Sequence, residues 1–379
     1  MRRVIGGVTL ALILLFAGCG KQSEVTGETT ELFSSFMISQ SGALRFDGYG
    51  YLHFYSKETD SWLYLCNRPS CLHRDSSCGA YWGEGYAHAF YYDNSLYVLQ
   101  IASEAWDGRL FRANRYGEER QEIGRTESFP APAYTMQIVG SNLYYIGEIW
   151  SDDQNEETRV LCRVSLKDGS YDSLPQPDTG YSVESFQEYA VTDEYLYYMY
   201  IVSDIDINDF IDWDTGEFTD ESWKEIVYAT QLYRMDRKTE VFELVFERKT
   251  VGAVPHMVEI LKNRDEQFLL VLDNQVVEYD SNTGETTLLL DMEAVAAEGW
   301  SNMRPVGDLW VVNMSHSQFI LLEDWKEIDR FEGSAEAYYQ VLGMSDEVVY
   351  FVGNNGLSYM DYEDMLNGDY VIHDVNGYW

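Results

Sequence analysis

The sequence predicts an all-β fold, a β-propeller of seven blades with four antiparallel strands each, on three observations. The first is a recurring unit, clearest in GSNLYYIGE (140 to 148), in which a turn precedes an apolar, aromatic run. Copies stand at DNSLYVLQ (93 to 100), DEYLYYMY (193 to 200), GDLWVVNM (307 to 314) and SDEVVYFVG (345 to 353), with looser ones at 47 to 55 and 264 to 272. The second is a following hairpin of strand, acid or Ser, polar turn and strand, as in RVLCRVSLKDGSYDSL (159 to 174). The third is the spacing. The leading positions Leu52, Leu96, Leu143, Leu196, Leu269, Leu309 and Val348 recur at about the length of a four-stranded blade.

Composition agrees with strands. The 379 residues include 30 Tyr, 17 Phe and 10 Trp, rings that suit a pleated, half-buried surface. The chain carries 26 Lys and Arg against 64 Asp and Glu, a net charge of -38. Such a surface repels phosphate backbones, so no nucleic-acid partner is expected.

At the N-terminus Arg2 and Arg3 precede an uncharged run, Val4 to Phe16, too short to span a bilayer, followed by Ala17, Gly18 and Cys19. A small pair directly before Cys resembles the lipobox of bacterial lipoproteins, with Phe16 where Leu is usual. The resemblance implies a signal peptide over residues 1–18, removed as Cys19 takes a diacylglyceryl group. Several acyl chains, palmitate among them, anchor stably where one does not. Residues 19–31 are then the lipidated Cys and a polar, flexible tether. The expected location is the outer face of the bacterial cytoplasmic membrane, with the propeller over 32–379.

The blades follow in order. Three strands, 36 to 46, 49 to 55 and 60 to 66, open blade one. Blade two spans about 85 to 125, with Tyr116 and Gly117 at the turn of its outer hairpin. The outer hairpins of blades three to six are 159 to 174, 230 to 244, 274 to 290 and 317 to 331, and blade seven ends over 355 to 372. The long interval between Leu196 and Leu269 holds an acidic insertion at about 203–227, placed between blades four and five. Short helices are expected at 220 to 227, capped by Asp220, and at 292 to 299.

The most specific chemical feature is LCNRPSCLHRDSSC (65 to 78), which places Cys66, Cys71, His73 and Cys78 within one loop. Three thiols and an imidazole are a tetrahedral ligand set for zinc. Outside a membrane, thiols also pair as disulfides. A disulfide within the loop and a zinc site are therefore both open, with reduced thiols as the third state. Cys162 takes the place of Phe111 and Tyr233 in neighbouring hairpins and reads as a small core residue. The Cys, Arg-Pro, Cys, Leu-His, Cys pattern resembles an element of surface lipoproteins from Clostridia-like Gram-positive bacteria, whose propeller is similar to the low-density-lipoprotein-receptor-related type. That type's Tyr-Trp-Thr-Asp strand is absent here, and the family offers no catalytic residue to transfer.

A weaker metal candidate is Asp204, Asp206, Asn208, Asp212 and Asp214, oxygen ligands suited to calcium. The EF-hand pattern fails at Asp209 and Thr215, and a solvated acidic loop is the plainer reading. No nucleophile elbow, His-Glu-x-x-His helix or phosphate loop is present. His53, His88, His256, His316 and His373 read as structural. Trp82, Trp106, Trp150, Trp213, Trp300 and Trp379 are candidates for a platform, with packing between blades favoured.

The functional expectation is a non-enzymatic binding or scaffolding module for an extracytoplasmic protein, peptide or glycan, recognised by loops around a central channel. The alternative is a carbohydrate-active or other enzyme on the same scaffold.

Overall fold

The computed structural model describes residues 29–375 except 34–35, 40–41, 48, 57, 60, 75, 84, 86, 102–106, 131–135, 151–156, 207–209, 213–216, 219–221, 253–257, 265–266, 273, 297–299, 315–317, 334–338, 346 and 354–355. The signal-peptide and lipidation expectations, Cys19 included, lie outside these residues. Among the described residues no helix is long and apolar enough to cross a membrane.

The turns explain why the hairpins repeat. Ser165, Asp236 and Asp280 each end a strand, and each backbone carbonyl accepts the N–H of the residue four positions on, at 2.8 Å. That residue, Gly169, Glu240 or Gly284, has positive φ. The carboxylates of Asp236 and Asp280 also accept two N–H groups each inside the turn. A short side-chain acceptor followed by a residue able to turn left-handed is thus the local code for the hairpin.

Seven four-stranded antiparallel meanders result, at 36–64, 87–126, 136–173, 183–251, 258–291, 300–332 and 339–374. They form the seven-bladed β-propeller that the repeats predict. Bulges recur in the innermost strand pair of blades four to seven and in the outer pair of blades two, four, five and six. Each adds local twist, which lets one edge of a blade face the axis while the other turns outward.

The core is a ring of seams. Leu44, Leu52, Phe90, Leu96, Leu143 and Val164 share one cluster across blades one to three, and further clusters join each later pair. The ring closes where Ala43 and Tyr55 of blade one pack on Leu342, Val348 and Tyr350 of blade seven. Blades one and seven share no strand, so side-chain packing makes this closure. At the seam of blades two and three a β-carbon on Gly124 would collide with the backbone of Gly169, so only glycine lets this strand and turn meet.

Several expectations need correction. The strand Thr29–Phe33 begins inside the stretch read as tether. It pairs with Met136–Val139 of blade three and Phe36–Ser39 of blade one, and lies against Tyr339–Ser345 of blade seven. These are innermost strands, so this segment occupies the centre of the ring where a ligand channel was expected. The acidic insertion sits inside blade four, between Tyr195–Ser203 and Val227–Asp236. It holds the strand pair Ile211–Asp212 and Glu217–Phe218 and a 3-10 turn, Ser222–Glu225. The other expected helix is one turn, Met292–Val295, capped by the Asp291 carboxylate. A helix that the pattern did not signal, Tyr362–Leu366, interrupts the last hairpin. Leu52 belongs to the third strand of its blade, and Leu269 is half-buried while Phe268 is fully buried in its place.

Candidate functional site

Blade one ends at Ser61–Tyr64, and the chain then makes a loop, 65–82, that folds back onto the same blade. The Leu65 N–H donates to Leu52 O, the Leu52 N–H to Ala80 O (2.8 Å) and the Trp82 N–H to Gly50 O (2.8 Å). Pinned at both ends, the loop brings the four predicted ligands together. The sulfurs of Cys66, Cys71 and Cys78 and a ring nitrogen of His73 all lie within 4.8 Å of one another, His73 Nδ1 and Cys78 Sγ at 3.2 Å. A tetrahedral ion bound at about 2.0–2.3 Å places its ligand atoms roughly 3.5–3.8 Å apart, so the set is close to a coordination shell. Of the three states open to these cysteines, no pair lies at disulfide distance in this structure. Cys66, Cys71, Cys78 and Cys162 are all free thiols.

His73 adopts positive φ (49°) and stacks on Tyr64 at 4.3 Å and 14°. His53 lies on Tyr64 in turn at 4.5 Å, and its Nε2 meets Asp47 Oδ2 at 2.9 Å. Burial holds His53 below the usual imidazole range despite that carboxylate. The thiols differ among themselves. Burial pushes Cys78 up to about 11, although the Ala80 N–H points at its sulfur at 3.3 Å. For Cys66 burial again acts upward, but the N–H groups of Arg68 and Gly79 and the thiols of Cys71 and Cys78 outweigh it, and its pKa falls below the ordinary thiol value.

Two arginines bind this loop to blade two. Arg120 donates from Nε to Gly117 O (2.8 Å), from Nη1 to Tyr81 O (2.5 Å), and from Nη2 to Gly79 O (2.6 Å) and Cys78 O (3.1 Å). Its guanidinium lies 3.9 Å over the buried ring of Trp82, a cation–π contact. Arg68 spans Ser77 O and Glu118 Oε1, each at 2.7 Å. Between these clips Gly79 and Gly117 meet backbone to backbone. A β-carbon on Gly117, whose φ is +75°, would collide with Gly79 O.

Beside the loop, between blades one and two, opens a cleft of about 850 Å³. Leu44, Phe54 and Tyr55 line it from blade one; Leu65, Cys66 and Asn67 from the loop; Tyr91 to Asn94, Arg115 and Tyr116 from blade two. The last two groups are turns at the same end of one meander. Asp93 and Asn94 both have positive φ, as a tight two-residue hairpin requires. The Tyr91 hydroxyl donates to Arg115 O (3.0 Å) and the Tyr92 hydroxyl to Gly140 O (2.6 Å), which fixes both rings. Sequence reasoning missed this cleft, since its turn residues carry no signal beyond turn formation.

The other predicted residues fall elsewhere. Among the described residues the cysteine–histidine set is the only gathered metal-ligand group. Asp204 is exposed, Asp206 half-buried and Asp212 paired in a strand, while Asn208 and Asp214 lie outside the described residues. Cys162 is fully buried against Ser128 (3.1 Å) and Tyr171 (3.4 Å), and burial raises its thiol pKa, as suits a core residue. His88 is buried on Phe129, and His373 stacks on Tyr359. Trp82 is core rather than platform. His256, His316, Trp106, Trp213 and Trp379 lie outside the described residues.

No protein-family model and no curated protein matches the chain. Among solved structures it is similar to a puromycin-hydrolyzing peptidase of Mycobacterium tuberculosis (TM-score 0.47, 12% identity, 89% of this chain and 52% of that one). It is similar also to PorZ, a surface component of the type-IX secretion system of Porphyromonas gingivalis (0.44, 11%, 89% and 37%). A third is BamB of Moraxella catarrhalis (0.40, 10%, 84% and 90%). The chain thus spans about half or less of the first two proteins.

Proposed function

We propose that this chain is a lipid-anchored protein of the outer face of a Gram-positive cytoplasmic membrane, and that its propeller is a non-enzymatic binding module. The cleft between blades one and two is its ligand site. One observation carries the reading: aromatic rings and polar groups converge on a preformed cleft whose walls are held by hydrogen bonds. Rings of Phe54, Tyr91, Tyr92 and Tyr116 offer flat apolar faces, and Asn67, Asp93, Asn94 and Arg115 offer donors and acceptors beside them. That mixture suits a neutral oligosaccharide, whose sugar rings present C–H faces and hydroxyl edges. The surrounding excess of acids disfavours polyanionic ligands.

The loop supports the site as a metal centre. Three soft sulfurs and one imidazole with no water position to spare fit zinc in a closed, structural mode. Cys66, Cys71, His73 and Cys78 would hold the ion, and the ion would supply cross-linking rather than chemistry.

The test is a panel of neutral and anionic oligosaccharides titrated calorimetrically against the chain and against the double variant Arg115→Ala, Tyr116→Ala. Binding of a neutral member that weakens at least about tenfold in the variant is expected, as befits the loss of a ring contact and a charged donor. Equal binding by both proteins would place the site elsewhere.

A further inference from the structure

Resting on the reading of the cleft as a ligand site, we propose that the cysteine–histidine centre is its switch: zinc on Cys66, Cys71, His73 and Cys78 builds the cleft, and loss of zinc dismantles it. Three features carry this.

Cys66 is at once a member of the ligand set and a lining residue of the cleft, with Leu65 and Asn67 on either side of it. Whatever fixes its sulfur fixes that wall.

The opposite wall is tied to the same centre by a short path. The carbonyl of Cys78, another ligand, and that of Gly79 accept from Arg120, and the same guanidinium donates to Gly117 O. Gly117 closes the turn that carries Arg115 and Tyr116, and the Arg115 carbonyl in turn holds the Tyr91 hydroxyl. Ligand to cleft is therefore one side chain and one turn away on this side, while on the other Cys66 is itself both ligand and lining.

Regular secondary structure does not hold the loop. The described residues of 65–80 contain no helix or strand, and the ligands other than Cys78 are half-buried. Between its pinned ends the conformation rests on the arginine clips, the His73–Tyr64 stack, short-range bonds such as Cys71 N–H to Arg68 O (3.1 Å), and whatever joins the four ligands. His73 also sits at positive φ, a strained conformation that persists only where its surroundings hold it. Bridging four side chains by one ion supplies such a hold, and an ion absent from the unfolded loop contributes its binding energy to the folded one.

The measurement uses zinc alone as the probe, on the full chain in mild detergent without reductant. Native mass spectrometry reads occupancy, and amide hydrogen exchange is followed with zinc added and withdrawn. One zinc per chain is expected. Exchange should slow at least about tenfold on zinc addition in 66–80 and also in 91–94 and 115–117, with strands of blade five unchanged. His73→Gln, which keeps all three thiols, should lose both protections together. If that variant misfolds, the wild-type comparison with and without zinc still decides. Zinc that protects 66–80 alone would overturn the switch while leaving the cleft to its own oligosaccharide test. A metal-free chain two hydrogens lighter, with zinc refused, would make the loop a disulfide staple and overturn the proposal outright.

Discussion

The seam between blades six and seven and the seam between blades one and two are built from the same repeat and hold together differently. In the first, Phe319 stacks on Phe331 at 4.7 Å and meets Phe351 edge-on at 5.4 Å, among Val311, Leu321, Val341 and Val349. A buried amide finishes the join: Asn313 donates to Tyr339 O at 3.0 Å and accepts the Val341 N–H at 2.9 Å. In the second, backbone carbonyls meet guanidinium groups, two glycines touch, and a cleft remains open. Side chains fill the first seam. A seam spanned by a long loop keeps space for a ligand, and polar clips there add to the apolar cluster that Leu44, Leu52, Leu65, Trp82, Phe90 and Leu96 share.

Emptying the sealed seam challenges this contrast most strongly. Phe351→Ala removes a fully buried ring there and should cost about 3–5 kcal/mol in denaturant unfolding. Tyr116→Ala, at the open seam and 40% exposed, should cost within about 0.5 kcal/mol. Similar losses for both would show that the open seam is packed as tightly as the sealed one.

Acid sharpens the contrast next. His88, in blade two, is held by burial at a pKa of about 4, below an unfolded value of about 6.5. The unfolded chain takes up the proton first as pH falls. Stability from this group is complete above about pH 6.5 and is lost progressively towards pH 4, by about 3 kcal/mol. Among the described residues the cluster of blades six and seven contains no histidine. A melting temperature followed over that range should fall, and should fall less in His88→Phe, which keeps the stack on Phe129.

A smaller effect than the loss at the sealed seam tests the clip itself. Gly117→Ala combines a left-handed backbone with a collision against Gly79 O, a local strain of about 1–3 kcal/mol. Faster exchange in 66–80, with blade seven unaffected, is the expected result. Unchanged exchange would mean that the two glycines merely lie near each other.

The hairpins were legible because their code is local. Ser165, Asp236 and Asp280 act within four residues of themselves, so the pattern reads directly as turn geometry. The leading positions were legible, Leu52, Leu96, Leu143, Leu196, Leu309 and Val348 being buried, but in blade five the phase was not. Where both faces of a strand are buried, hydrophobicity does not mark the core face, and the pattern points to Leu269 where Phe268 is the buried residue. The insertion was visible as an acidic stretch, yet nothing in it told whether it interrupts a blade or separates two. The ligand set was legible because its members share one loop. Its state was not, since pairing of sulfurs depends on their separation and direction.

By itself, then, the sequence determined the repeat, its turns, the seven-bladed ring and the types of the four ligands, all of which rest on neighbours a few residues apart. Tertiary structure alone decided the rest. The cleft draws on segments near 44, 54, 66, 92 and 115, Arg120 reaches back about forty residues to Cys78 and Gly79, and a strand at 29–33 lies in the centre of the ring. Contacts of that range depend on how twisted blades fit against one another. No short window of sequence records that fit, because each partner is ordinary in its own surroundings and acquires its role only when the ring closes.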